Sequence, residues 1–270
     1  MMQQLQEATE FVQKQYNNNP TIGIILGSGL GNFSSELAID FSIPYAKIPH
    51  FPVSTVEGHS GALQFAQLGG KNLVIMAGRF HFYEGYSPAE VVFPIRVMKL
   101  LGVETILLSN AAGSVHPDYQ VGDLVVIKDH ISFFQTNPLL GKNLEQLGPR
   151  FPDMSEPYSK QLRSKAFAIA KELNLHLHEG VYTGVTGPTF ETRAEYQLIK
   201  HIGGHVVGMS TVQETIAAVH AGMQVFGVSV VTDIGIREDE NTITHEEVLQ
   251  AAKEAEPKLT ALFKAMIANI

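Results

Sequence analysis

Cysteine is absent from all 270 residues, which excludes disulfide cross-links and thiolate chemistry and fits a reducing compartment. Long apolar runs are missing too: none approaches the roughly 20 residues of a membrane-spanning helix. The opening Met1-Met2-Gln3-Gln4-Leu5 has no basic segment ahead of an apolar one, so no secretory leader is expected and cytoplasmic residence is the default. Positive charge is scarce, with 19 Lys and Arg against 27 Asp and Glu and a formal net charge of −8. That deficit argues against nucleic-acid binding, which draws its affinity from clustered cations. Any anionic ligand must therefore be held by a local arrangement of donors. What remains is 44% hydrophobic and 17% charged, with no repeat, low-complexity tail or dividing linker, as expected of one globular domain spanning 1–270.

Polar groups concentrate where apolar runs end. The run 73–77 stops at Gly78 and releases Arg79, His81, Tyr83 and Glu84 within a few residues. In an extended segment Arg79, His81 and Tyr83 share one side, and an Arg fork beside an imidazole suits phosphate or carboxylate. The structural alternative is a surface Arg next to a core-edge pair, Phe80 and Phe82. The run 21–26 leads into Gly27-Ser28-Gly29-Leu30-Gly31, where glycines let backbone N–H groups approach an anion and Ser28 adds a hydroxyl. A dinucleotide fingerprint fails here, because Asn32 stands where its third glycine belongs and no acid follows at about 20 residues. The run 103–109 ends in Asn110-Ala111-Ala112-Gly113-Ser114, a third set of small residues and backbone donors. Three such ends meeting in one crevice is the layout of an open α/β sheet, whose ligands collect at the carboxyl ends of strands.

Further strands are expected at 124–128, 175–185, 206–211 and 224–231, and a hairpin over 62–78 turning at Gly69-Gly70. Helical spacing predicts helices over 2–16, 88–101 with Ser87 as cap and Gly102 as stop, 158–173, 192–201 with Glu191 in its first turn as one option, and 212–221 with Ser210 as cap. Thr244 and Glu247 form a capping-box pattern that leaves His245 unexplained. The proline-punctuated loop 129–150 carries Phe133 and Phe134, suited to a partner contact. His59 lies in a glycine-flanked loop, where it either meets a ligand or is solvated, and His176 and His178 are expected as solvated strand residues. Phe190 could stack on a planar ring while Glu191 accepts hydrogen bonds from it.

Taken in order, GSGLG at 27–31, EGHSG at 57–61, GRFHFYEGY at 78–86, SNAAGS at 109–114, GPTFET at 187–192, VGMST at 207–211 and THEEVL at 244–249 resemble the trimeric purine nucleoside phosphorylases. The resemblance implies a single α/β domain with a mixed, twisted central β-sheet flanked by helices. It also implies cleavage of purine nucleosides by phosphate to free base and ribose 1-phosphate, with phosphate as co-substrate, no metal or organic cofactor, and a homotrimer. Carried over, it gives Ser28, His59, Arg79, His81, Ala111 and Ser210 to phosphate, and Tyr83, Met209 and His245 to ribose. Phe190 and Glu191 go to the purine, and Phe134 or Phe133 to a neighbouring subunit's sugar site. Asp233 departs from the family pattern, which has Asn there. Kept protonated by burial, Asp233 would donate to N7 and accept from a 6-amino group, so inosine, guanosine and also adenosine are expected substrates. On this reading His81, Glu191 and Asp233 carry the catalysis. An NAD-dependent oxidoreductase and a non-catalytic purine-binding protein are the alternatives from other classes.

Overall fold

The computed structural model describes residues 1–28, 30–53, 61–133, 136–236 and 243–270. In chain order its elements are α1 (Met2–Gln15), β1 (Ile22–Ile25), β2 (Ile39–Pro44), β3 (Ala62–Leu68), β4 (Lys71–Ala77), α2 (Pro88–Val91), α3 (Phe93–Leu101), β5 (Thr105–Ser114) and β6 (Leu124–Ser132). They continue as α4 (Lys160–Glu172), β7 (Leu177–Gly184), α5 (Arg193–His201), β8 (Val206–Gly208), α6 (Val212–His220), β9 (Gln224–Ile234) and α7 (His245–Asn269). The nine strands among the described residues join one mixed sheet in the order β2-β3-β4-β1-β5-β8-β7-β6-β9. An added β5–β9 pairing brings its far end back onto the centre, so β5, β8, β7, β6 and β9 form a closed ring.

Central strands are apolar on both sides because both faces are covered. Ile25, Met76, Leu108 and Val225 face a core built with α1, α3 and α6, whereas their neighbours Ile24, Ile75, Leu107 and Phe226 face one built with α4 and α7. Among the described residues no helix is long and apolar enough to cross a membrane.

Two departures from the sequence pattern matter for the site. The expected helix 88–101 breaks at Val92, since Pro94 has no N–H to give the carbonyl of residue 90. Its start is as anticipated, with Ser87 Oγ accepting from Glu90 N. Strand β5 does not end at Ser109: Asn110 to Ser114 remain in the ladder, paired with β9 and, at Gly113 and Ser114, with β8. Likewise β9 runs through Thr232 and Asp233, and β6 runs on to Ser132. Small residues that look like a loop are here the floor of a cleft.

Candidate active site

Arg79 enters the cleft from the end of β4, past Gly78 at φ 104°, a value that glycine accepts without strain. Tyr45 hydroxyl donates to the Gly78 carbonyl at 2.8 Å and fixes that turn. The Arg79 guanidinium is buried (1% exposed) and forked: Nε and Nη2 donate to the two carboxylate oxygens of Glu214 at 2.9 and 3.0 Å, and Nη1 to the Ser109 carbonyl at 2.6 Å. Glu214 balances a charge that would otherwise be costly to bury. It also accepts from Thr211 N at 3.1 Å, and so ties the arginine to the first residues of α6.

Thr211 caps that helix, in the place expected for Ser210, and holds φ 69°, where side chains are strained. Asn110 Nδ2 donates to Thr211 Oγ1 at 2.9 Å, and Ser210 N donates to the Tyr182 hydroxyl at 3.2 Å. Ser210 is thereby presented to the cleft beside Ala111 of β5. Opposite them the Gly27 turn packs flat on β5, since a Cβ at Gly27 would lie 2.8 Å from Asn110 Cα. Ser109 Oγ accepts from Gly27 N at 3.2 Å, and Glu256 of α7 accepts from Asn32 N and Phe33 N at 2.5 and 3.2 Å. These contacts place Ser28 at the cavity wall.

His81 and Glu84 form a closed pair. Glu84 Oε1 accepts from His81 N at 2.7 Å and lies 3.1 Å from His81 Nδ1, so Nδ1 carries the proton and Nε2 is the other edge of the ring. The Tyr83 ring stacks on the imidazole at 4.7 Å and 15°, and burial pushes its phenol up to about 12.

At the other end Asp233 is buried on β9, in register with Gly113, and its Oδ1 accepts from Thr232 Oγ1 at 3.2 Å. Gly113 is the residue that admits it, because a Cβ there would stand 2.7 Å from Asp233 Oδ2. Gly113→Ala is expected to push the carboxyl out of place and lower turnover while the sheet still folds. A kcat/KM equal to wild type in a folded Gly113→Ala protein would remove Asp233 from the machinery. Glu191 lies just ahead of the cap Thr192, and the acid in the first turn of α5 is Glu195. Burial raises the Glu191 carboxyl above its usual range, a hydrogen bond with Tyr196 opposes that, and the nearby Asp233 adds to it.

One cavity of about 510 Å3 joins these parts. Ser28, Arg79, His81, Ala111 and Ser210 line it, as do Phe190, Glu191 and Asp233, with Tyr83, Met209 and His245 also in its wall. His245, the first residue of α7 behind the Thr244 cap, thus has a cavity to face. His59, Phe134 and Gly29 lie outside the described residues. Phe133 does not line this cavity; it borders an adjoining one of about 300 Å3, together with Phe190 and Glu191.

The model of the phosphorylase superfamily matches residues 21–268. Purine nucleoside phosphorylase 1 of Geobacillus stearothermophilus is 47% identical over 98% of this chain and 97% of its own length. The rat purine nucleoside phosphorylase is 43% identical over 98% and 94%. The chain belongs to the purine nucleoside phosphorylase family. Its fold superposes on isoform 2 of the Schistosoma mansoni enzyme, solved with cytosine and ribose-1-phosphate, with a TM-score of 0.95, 42% identity and coverage of 99% and 96%. A second Schistosoma mansoni structure, with adenosine, gives a TM-score of 0.93 over 98% of this chain.

Within that family frame several residues of this site had no distinct sequence signal. Glu84, among the polar groups released after Gly78, orients His81. The one local signal for Glu214 is its spacing three residues after Thr211, that of a capping box. Tyr196 and Glu256 reach the site from helices and act on Glu191 and on the glycine turn.

Proposed function

We propose that this cavity performs phosphorolysis of purine nucleosides, with inosine, guanosine and adenosine as substrates. The observation that carries this is the joining, in one cavity, of an anion cradle and an aromatic-acidic base pocket. Phosphate sits on Ser28, Arg79, His81 and the backbone at Ala111 and Ser210. Ribose lies between Tyr83, Met209 and His245, and the purine between Phe190, Glu191 and Asp233.

Breaking the glycosidic bond leaves positive charge on the sugar and negative charge on the departing base. The phosphate oxyanion below the ring stabilises the first and then forms the new bond to C1′, giving ribose 1-phosphate. Asp233 hydrogen-bonds the base at N7 as its charge develops, and Glu191 accepts from N1–H of a 6-oxopurine. His81, held at Nδ1 by Glu84, offers Nε2 to the phosphate. Phosphate is the co-substrate, and each charge that develops is met by a side chain or by phosphate, so the chemistry calls for no cofactor.

Glu191→Gln tests the base end. A buried carboxyl whose value is raised contributes stability below the ordinary 4.5 and loses it as pH rises through the raised value. At neutral pH the ionised Glu191 is therefore a liability to the fold, so Glu191→Gln should melt higher than wild type, an advantage that shrinks as pH falls toward 4.5. Its kcat/KM for inosine should drop by about 10- to 100-fold, the loss of a hydrogen bond to a charged acceptor. Wild-type activity should have an acid limb above the ordinary carboxylate range. Unchanged inosine kinetics in Glu191→Gln would take the residue out of base recognition.

A homotrimer is part of the same proposal. Phe133 is 43% exposed and borders the adjoining cavity of its own chain, whereas Phe151, just past the end of the same loop and beside the Arg150 cation at 5.8 Å, is 87% exposed. Phe151 therefore joins Phe133 and Phe134 as a side chain able to cross to a neighbouring subunit. Sedimentation equilibrium should give three chains; a monomer would remove this part.

A further inference from the structure

A second cavity, also of about 510 Å3, shares no lining residue with the active site. It lies between α3, the end of α6, the loop stretch 138–146 and the start of the chain, with Met1, Met2 and Ala89 also in its wall. Arg96 of α3 is its buried cation, at 5% exposure. The guanidinium makes one hydrogen bond, from Nη2 to the Pro138 carbonyl at 3.0 Å, and its Nε is buried with no partner. Among the described residues no carboxylate lies within ion-pair distance of Arg96, and no acid lines the cavity. Lys142 and the amide of Gln146 complete a donor-rich wall. His220 adds no second buried charge: its Nε2 lies 3.1 Å from Asn143 Oδ1, and burial together with the charge of Arg96 holds its imidazole below the usual range.

The contrast with Arg79 is the decisive one. Both arginines are buried, yet Arg79 is matched by both oxygens of Glu214 and Arg96 by no carboxylate among the described residues. A buried cation is tolerated when paired and hydrogen-bonded, and strongly disfavoured otherwise. In a chain of net charge −8, a cavity with no acid among the described residues leaves room for the counter-charge to be a bound anion.

We propose that this cavity is a second anion site, taking a small oxyanion, inorganic phosphate or a phosphate monoester, on the Arg96 fork with Lys142 at its rim. The fork suits the oxygens of phosphate, and the volume is in the range of small-ligand pockets. Asn143 Nδ2 and Arg150 Nη1 already tie this loop together, to the carbonyls of Gly148 at 3.0 Å and of Leu139 and Gly141 at 2.8 and 2.9 Å. Occupancy would fasten that loop, which carries Phe151, onto α3.

Equilibrium dialysis with radiolabelled inorganic phosphate tests this by stoichiometry. Arg96→Met should bind one equivalent per chain fewer than wild type while phosphorolysis persists. Lys142→Glu alters an exposed rim residue without threatening the fold, and should weaken one class of phosphate at least tenfold while leaving the other unchanged. Glycerol 3-phosphate displacing label from that class would identify monoesters as occupants, and failure to do so would leave inorganic phosphate. Equal stoichiometry in wild type and Arg96→Met overturns the proposal, as does an unaffected second class in Lys142→Glu. Loss of subunit association in Arg96→Met with no change in phosphate bound would assign the counter-charge to a neighbouring subunit's carboxylate instead.

Discussion

Arg79→Ala is expected to lower kcat/KM for phosphate by about 10²- to 10³-fold, the usual effect of deleting one fixed donor to a developing or transferred oxyanion. The same substitution should destabilise the fold by about 3–5 kcal/mol, because it strands the buried Glu214 carboxylate that now takes both Nε and Nη2. The two effects separate in the double variant Arg79→Met with Glu214→Leu. Replacing both charges by apolar side chains of similar size should restore most of the stability and none of the activity, since such replacements of buried pairs are often neutral. Chemical denaturation and phosphate-dependent kinetics on the three proteins read both quantities. Near-normal phosphorolysis in Arg79→Ala would falsify the cradle assignment. A double variant no more stable than the single one would show that Glu214 acts through Thr211 and α6 rather than through charge balance.

Asp233→Asn should redirect the base pocket. An amide both donates and accepts in fixed directions, whereas a carboxyl accepts when ionised and donates when protonated. A protonated acid can hand a proton to N7 while its other oxygen accepts from a 6-amino group, and an amide cannot give up a proton. Wild type is expected to cleave adenosine as well as inosine, and Asp233→Asn to change the adenosine-to-inosine ratio of kcat/KM by about tenfold to a hundredfold in favour of inosine, the scale of one mismatched buried hydrogen bond. The position is well defined for such a test. Gly113 leaves room for Oδ2, and Thr232 donates to Oδ1 at 3.2 Å. Initial rates on inosine, guanosine and adenosine with both proteins decide it, and a wild type inert toward adenosine removes the proposed role.

The sequence made the strand ends legible because glycines and small residues after apolar runs have few other uses. GSGLG, GRFHFYEGY and SNAAGS meet in one cavity as that pattern anticipates, apart from Gly29, which lies outside the described residues. The residues that hold these groups in place come from far away in the sequence. Glu214 reaches Arg79 across 135 positions and Glu256 reaches Asn32 across 224, distances over which local pattern says nothing. Ser210 and Thr211 are both hydroxyl residues, and only the backbone at φ 69° shows which one caps α6. The ladder through Asn110 to Ser114 was hidden by composition, since residues too small to resemble a strand are what a cleft floor between β8 and β9 requires. Phe133 and Phe134 stand out in the sequence by adjacency, while Phe151, at 87%, is the most exposed large hydrophobic side chain among the described residues.

The most direct measurement follows hypoxanthine release from inosine with and without phosphate, and counts ribose 1-phosphate formed. The joined cradle and base pocket predict release that requires phosphate and one ribose 1-phosphate for every base set free. Release at the same rate without phosphate, with free ribose as the product, would mean that water is the nucleophile and would contradict the central claim, as would no release at all.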